Sequence, residues 1–429
     1  MTNILPPDVV DDLFRHRYAR MVTGLTRVLG PAKLELAEDV VQEAMMRALR
    51  VWPAEGVPEQ PHAWVFRVAR NLALDSLRRQ KIADRASEEL QRWAEADSDP
   101  PSSTSQRHEP DQIDDDTLRM LFLCAHPDVP ADARVPLILK NVCGFGVPAI
   151  ARALLKKDAT IAQRLVRAKA KLQASGAEFV MPTPTELPER TATVLQIIYL
   201  MFNEGYRAHA GEALIRSDLI DEAIRLNALL VERTDTRSPA AHALLALMLL
   251  LGARLPARTN EHGDLITLAQ QDRSLWDRRW LACGFHHFKL SISGLELTAY
   301  HCEAAIASNH AIAATYADTD WQIILNEYDR LLRIAPSPIV RLNRAVAVGK
   351  VHGATAGLRE LEGLEQDSAL DDYFLLGAVT AQLHWQRSDF PSAIEALERA
   401  LAQPCSEPER RLLEQRLHAC RNHQPPAAW

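Results

Sequence analysis

Residues 62–79 read HAWVFRVARNLALDSLRR, and their spacing predicts a helix with two distinct faces. Trp64, Arg67, Asn71, Asp75 and Arg78 follow one another at steps of three or four. At 100° per residue they fall within about 80° of the helical wheel. Val65, Val68, Ala69, Leu72 and Ala73 form the adjoining apolar stripe, which suffices to anchor the helix in a core. An aromatic ring, an amide and two guanidinium groups left outside that stripe suit an unstacked base and its phosphates. A solvated polar face edged by a tryptophan accounts for the same pattern.

A second helix is predicted over 159–172, ATIAQRLVRAKAKL. Ile161, Leu165, Ala168 and Leu172 make its apolar stripe, and Thr160, Gln163, Arg164, Arg167 and Lys171 cluster about 110° away. Residues 148–155 (PAIARALL) read as a short helix before it, joined through Lys156-Lys157-Asp158 with Asp158 as N-cap. Short helix, tight turn and basic amphipathic helix form a helix-turn-helix pattern. Residues 117–175 hold 10 Lys/Arg against 3 Asp/Glu, the positive charge that phosphate binding requires. A charged helix of an ordinary bundle is the competing reading.

The chain has 429 residues, 47% of them hydrophobic and 24% charged, enough for two to four domains with real cores. Its net charge of −7 conceals segregation. Residues 1–80 are nearly neutral with 11 basic and 10 acidic groups, whereas 81–116 carry 4 against 11 and 176–429 carry 24 against 32. Six cysteines occur without a CxxC pair or matched histidine spacing, so no disulfide framework, metal site or cofactor is expected. Residues 1–10 lack a basic start and an apolar run, and the apolar stretch 240–252 is short and contains His242. A cytoplasmic protein with no membrane partner is expected.

Almost every segment shows 3.6-residue periodicity, so the expected class is all-α. A first helix is predicted over 8–29, stopped by Gly30-Pro31, and a second over 36–51, followed by a Pro-rich loop at 52–61. Residues 81–115, rich in Ser, Pro and acid, read as a flexible linker, and MPTPTELP at 181–188 marks a second break. From 189 onward the chain reads as one helical array. Residues 373–404 contain two amphipathic helices, the second with an Ala-x-x-x-Leu-x-x-Ala pattern, which resemble a tetratricopeptide unit; weaker copies lie at 328–349 and 351–364.

Asn203-Glu204-Gly205-Tyr206, His209 and His286-His287 are the residues that could suggest acid–base or metal chemistry. No nucleophile elbow, P-loop, HExxH or glycine-rich dinucleotide turn accompanies them, so no catalytic residues are assigned and no enzyme is expected.

Two blocks, LAEDVVQEAMMRAL (36–49) and PHAWVFRVARNLALDSLRR (61–79), resemble region 2 of a bacterial RNA polymerase sigma factor of the extracytoplasmic-function type. Residues 116–172 resemble region 4 of the same family. The remainder resembles the C-terminal, tetratricopeptide-like extension of one subgroup, best in YLMFNEGYRAHAGE (199–212), DLIDEAIRLNALL (218–230) and QDRSLWDR (271–278). The implied layout is a region 2-like domain at 1–80, a linker at 81–115, a region 4-like helix-turn-helix domain at 116–176, a linker at 177–188 and an extension at 189–429.

The resemblance implies a protein that binds core RNA polymerase and promoter DNA. Asp39, Gln42, Glu43, Met45 and Arg47 would meet the clamp coiled coil of the largest subunit, with methionine at 45 where the family usually has phenylalanine. Further contact with the flap region is implied. Trp64, Arg67, Asn71 and Arg78 would read and open the −10 element. Lys156, Lys157, Thr160, Gln163, Arg164, Arg167 and Lys171 would meet the −35 element, although Lys156-Lys157 stands where the family often has Val-Pro. The extension is expected to regulate the sigma part in cis through intramolecular contact. The alternative is a helical-repeat adaptor for proteins, tethered to DNA by its N-terminal modules.

Overall fold

The computed structural model describes residues 17–79, 110–154, 156–206, 217–367, 370–371 and 373–423. The start of the first helix, the linker up to 109 and His209 lie outside the described residues. The described chain is all-α, with a single isolated bridge between Thr259 and Leu265. It divides into two compact units, 1–197 and 198–429.

In the first unit, α1 (Tyr18–Leu29) ends at Gly30, whose φ of 82° lets its N–H return to the Thr26 carbonyl at 2.9 Å. Helix α2 (Leu34–Glu55) runs past the expected end at 51. Pro53 removes one N–H, yet the helix continues until Gly56, at φ 90°, donates to the Trp52 carbonyl. Trp52 is buried, and its side chain gives this last turn a reason to stay helical. Helix α3 (Pro61–Arg79) then packs along α2.

Helix α4 (Pro110–Cys124) starts with a proline in its first turn, inside the stretch expected to be linker. It is followed by α5 (Ala131–Asn141), α6 (Val147–Ala153) and α7 (Asp158–Ser175). Lys157 is the N-cap of α7 and Asp158 lies inside its first turn, one residue on from the expected role, where its charge opposes the positive end of the helix. Ile161, Leu165, Ala168 and Leu172 are all at most 3% exposed and pack against α5 and α6. Burying each leucine or isoleucine stabilises by about 1.5–3 kcal/mol.

The two modules of this unit touch each other. Arg27 of α1 reaches Asp116 of α4 at 3.2 Å, and Lys140 of α5 lies 5.9 Å over the Tyr18 ring. Lys169 of α7 bonds both Glu38 and Glu35 of α2.

Helix α8 (Leu187–Tyr206) contains the division between the units. The second unit continues with α9 (Ser217–Glu232), α10 (Pro239–Gly252), α11 (Arg278–Ser291), α12 (Ala299–Ile312) and α13 (Trp321–Ile334). After these come α14 (Pro338–His352), α15 (Ala354–Leu361), α16 (Leu375–Gln386), α17 (Phe390–Leu401) and α18 (Glu407–Arg421). Ser-Pro pairs open α10 and α14, the serine accepting from the N–H of Ala241 or Val340 and the proline filling the first helical position. The apolar run extends beyond its expected limit, over Pro239–Ala257 with mean hydropathy 1.6, long and apolar enough by composition to cross a membrane. It is 78% buried inside the fold and is flanked by α9, α11 and α12, the position of a core helix.

Toward the C-terminus, consecutive helices pack in pairs: α14 on α15, α16 on α17, and α17 on α18. The expected pair in 373–404 corresponds to α16 and α17. At Gly377 a Cβ would stand 2.7 Å from the Ala396 carbonyl, so only glycine lets these two helices approach so closely.

Candidate nucleic-acid interface

Helix α3 buries Val65, Ala69, Ala73 and Leu77 and turns Arg67, Asn71, Asp75 and Arg78 outward. All four outward residues are exposed, so the row read from the sequence exists as a surface. Trp64 is half-buried and leans edge-on against Trp52, with ring centroids 5.5 Å apart. Trp52 is 3% exposed and holds Trp64 at the rim. Asp75 lies 3.8 Å from Arg78, the arginine contact its charge favours. Arg67, Asn71 and Arg78 can thus offer an amide and two guanidinium groups to one strand, beside an aromatic edge.

On α2, Asp39, Gln42 and Arg47 are exposed and Glu43 is half-buried. Arg47 pairs with Glu43 at 3.0 Å. Met45 is different: at 2% exposure it belongs to the core, so no surface contact is open to it. The adjacent Met46, 44% exposed, is the apolar side chain on the outer face. The helical period already placed Met45 on the apolar face with Val41 and Ala44; its expected contact rested on the family resemblance alone.

On α7 and the turn before it, Lys156, Lys157, Gln163, Arg167 and Lys171 are exposed, while Thr160 and Arg164 are half-buried. Both arginines converge on Asp132, in the first turn of α5. Arg167 Nη2 lies 2.6 Å from one carboxylate oxygen, Arg164 Nε lies 3.2 Å from the other, and Arg164 Nη1 donates to the Asp132 carbonyl. Asp132 and Arg167 are about half exposed, at 45% and 52%. Such solvated pairs stabilise by about 0–1 kcal/mol, weak enough for phosphates or bases to displace. Val166, 60% exposed beside Arg167, was not singled out in the sequence; an apolar side chain on such a face suits a thymine methyl.

Lys169, between Arg167 and Lys171 in sequence, turns inward. Burial works to lower its pKa, but the charges of Glu38 and Glu35 and the bonds to them prevail, holding it above the ordinary lysine value. It therefore contributes a contact between modules in place of a contact with DNA.

The candidate chemical residues of the second unit are occupied structurally. His287 Nδ1 and His242 Nδ1 lie 2.9 Å apart in stacked rings, one necessarily donating to the other. Burial, then the neighbouring His242 and His286, lowers His287 to about 4. Asn203 bonds Tyr199, whose hydroxyl donates to the Glu303 carboxylate at 2.9 and 3.0 Å. Burial raises Glu303 to about 7, opposed by the Tyr199 bond. The Tyr206 carbonyl accepts from Arg258, whose guanidinium also lies 4.0 Å over the Tyr206 ring. The Asn203–Tyr206 stretch thus ties the end of α8 to α12 and to the segment after α10. Among the described residues no three His, Cys, Asp or Glu side chains gather as metal ligands.

Residues 14–82 match Sigma-70 region 2, and residues 190–292 match a family of unknown function, DUF6596. The chain is 40% identical over 370 residues, 86% of each chain, to an uncharacterized protein, R00370, of Rhizobium meliloti (strain 1021). No solved structure matches it. The chain belongs to the family of that Rhizobium meliloti protein, and its Sigma-70 region 2 at residues 14–82 supports a place among the sigma factors.

Proposed function

We propose that this protein is an extracytoplasmic-function-type sigma factor that acts in the cytoplasm. It binds core RNA polymerase through the outer face of α2, reads a −35 element with the helix-turn-helix formed by α6 and α7, and opens a −10 element with α3. The observation that carries this reading is the exposed row Arg67, Asn71 and Arg78 beside the half-buried Trp64, within the matched Sigma-70 region 2. A helix that needed these residues for packing would bury them. The basic face of α7 supplies a second, duplex-type surface, with arginines suited to guanine.

The tetratricopeptide-like array from 198 onward regulates this activity in cis. Its acid excess complements the +7 charge of residues 117–175. The test is initiation by purified protein with core polymerase on a promoter library, using the full chain and a chain ending at 197. The shorter chain retains the bond from Arg190 to the Phe122 carbonyl, 2.5 Å long, which a cut near 180 would lose. Specific initiation by the full chain, altered in the short one, is the expected result. Absence of core binding by the full chain would leave the helical-adaptor reading in its place.

A further inference from the structure

The second unit contains two neighbouring arginines, Arg254 and Arg273, that form no ion pair among the described residues. Arg254 follows α10, and Arg273 and Trp276 belong to the stretch QDRSLWDR. Both guanidinium groups lie on the one indole, Arg273 at 4.6 Å and Arg254 at 5.6 Å from the Trp276 ring centroid. Arg273 Nη1 donates to the carbonyls of His310 and Ala313 at 2.6 and 2.8 Å, which brings the end of α12 to the same place. The His310 ring rests edge-on against Trp321.

The hydrogen-bond inventory of this cluster is incomplete. Arg273 Nη2, Trp276 Nε1 and His310 Nδ1 are buried without a partner, and Trp276 is only 3% exposed. Neither Arg254 nor Arg273 forms an ion pair among the described residues; Arg254 Nε reaches only the Gln271 side-chain oxygen, at 3.4 Å. The carboxylate that acts on Arg273, Asp318, accepts from the N–H and hydroxyl of Thr315. Two neighbouring guanidinium groups repel, and orphaned buried donors each cost about 1–3 kcal/mol.

We infer that Arg254, Arg273, Trp276 and His310 form a binding site for a small oxyanion, of the phosphate class. A guanidinium fork matches paired oxygens, and a tetrahedral anion has enough acceptor positions for two guanidiniums and an indole N–H. Binding would join the end of α10 and the QDRSLWDR turn, both within the region matched at 190–292, to the end of α12 beyond it. The inference is independent of the sigma-factor reading and gives the extension a chemical signal to sense.

The test is thermal unfolding of the full chain in inorganic phosphate, sulfate or acetate against chloride at equal ionic strength. Ligand linkage predicts a midpoint that rises and follows a saturable binding curve. General salting-out instead gives a gradual rise shared by all variants. Arg254→Met is expected to weaken the saturable response at least tenfold. Trp276→Phe keeps the ring but removes the donor, and is expected to weaken it several-fold, so the site stays testable if one variant misfolds. A saturable response to acetate as strong as that to phosphate overturns the phosphate-class assignment. No saturable response to any of the three anions, or the same response in folded Arg254→Met, overturns the inference.

Discussion

Lys169 Nζ on α7 stands 3.2 Å from Glu38 Oε2 on α2, and this bond joins the two modules of the first unit through a carboxylate that is 4% exposed. Glu38 Oε1, the second carboxylate oxygen, is buried without a hydrogen-bond partner. Removing one side of a buried pair strands the other, so Lys169→Ala is expected to destabilise the first unit by about 1–3 kcal/mol. The double variant Lys169→Met with Glu38→Met should recover most of that loss. Urea denaturation of the two variants measures it; equal destabilisation of both would show that the pair does not clasp the modules.

The same bond bears on transcription. Elements at −35 and −10 lie about 25 base pairs apart, on the order of 85 Å at 3.4 Å per step. Helices α2 and α7 have 22 and 18 residues, so each spans only about 27–33 Å at 1.5 Å per residue. Modules joined at Lys169 and Glu38 cannot reach both elements, and on the proposed function this contact must break. The Lys169→Ala variant, which loses the clasp with no apolar replacement, is therefore expected to initiate faster at low core concentration. A rate equal to wild type in an abortive-initiation assay would discard the clasp as a control.

Met45 and Met46 separate stability from docking. Met45→Ala opens a cavity at a fully buried site and is expected to cost about 2–5 kcal/mol. Met46→Asp changes an exposed side chain and is expected to leave stability within about 0.5 kcal/mol while weakening core-polymerase binding at least tenfold. Surface plasmon resonance beside denaturation checks both. Unchanged core affinity of Met46→Asp would remove α2 from the docking surface.

What was legible in the sequence was whatever the 3.6-residue period controls. The stripe Ile161, Leu165, Ala168, Leu172 and the row Arg67, Asn71, Arg78 emerged on the faces expected of them, because face assignment needs only the helix itself. Features decided by tertiary neighbours were hidden. Lys169 resembles the lysine two residues on, and only the approach of Glu38 turns it inward. Pro53 signals a break, yet buried Trp52 carries α2 past it. Arg254, Arg273 and His310 are scattered over three segments, and no spacing rule links them.

Asp132 is expected to restrain DNA binding by α7. Asp132→Ala frees Arg164 and Arg167 from exposed ion pairs at a cost below about 1 kcal/mol. Affinity for −35 duplex should rise several-fold at low salt, with a steeper salt dependence because more counterions are released. Arg164→Ala should instead lower affinity and relax base preference. Fluorescence anisotropy across a salt series checks both variants; an Asp132→Ala protein with wild-type affinity and slope would mean the arginines do not meet DNA.

Glu303 gives the second unit a distinctive pH response. Its folded pKa, raised by burial to about 7, exceeds the ordinary carboxyl value of 4.5, so the folded state holds a proton that the unfolded chain releases. Between pH 4.5 and about 7 folding therefore binds protons, and this group's contribution falls as pH rises, levelling off above pH 7. The full change is on the order of 3–3.5 kcal/mol at 1.36 kcal/mol per pH unit. Histidines with lowered values, such as His287 at about 4, act in the opposite direction and lose stability as pH falls through the ordinary imidazole range. The wild-type profile mixes these trends, so the informative quantity is the difference from Glu303→Gln, which keeps an oxygen acceptor for Tyr199. That difference should be near zero or favour wild type at pH 5, and move toward the glutamine variant by pH 8. Thermal unfolding at half-unit pH intervals reads it directly; a difference that stays constant from pH 5 to 8 would mean that Glu303 is ionised in the fold as readily as in the open chain.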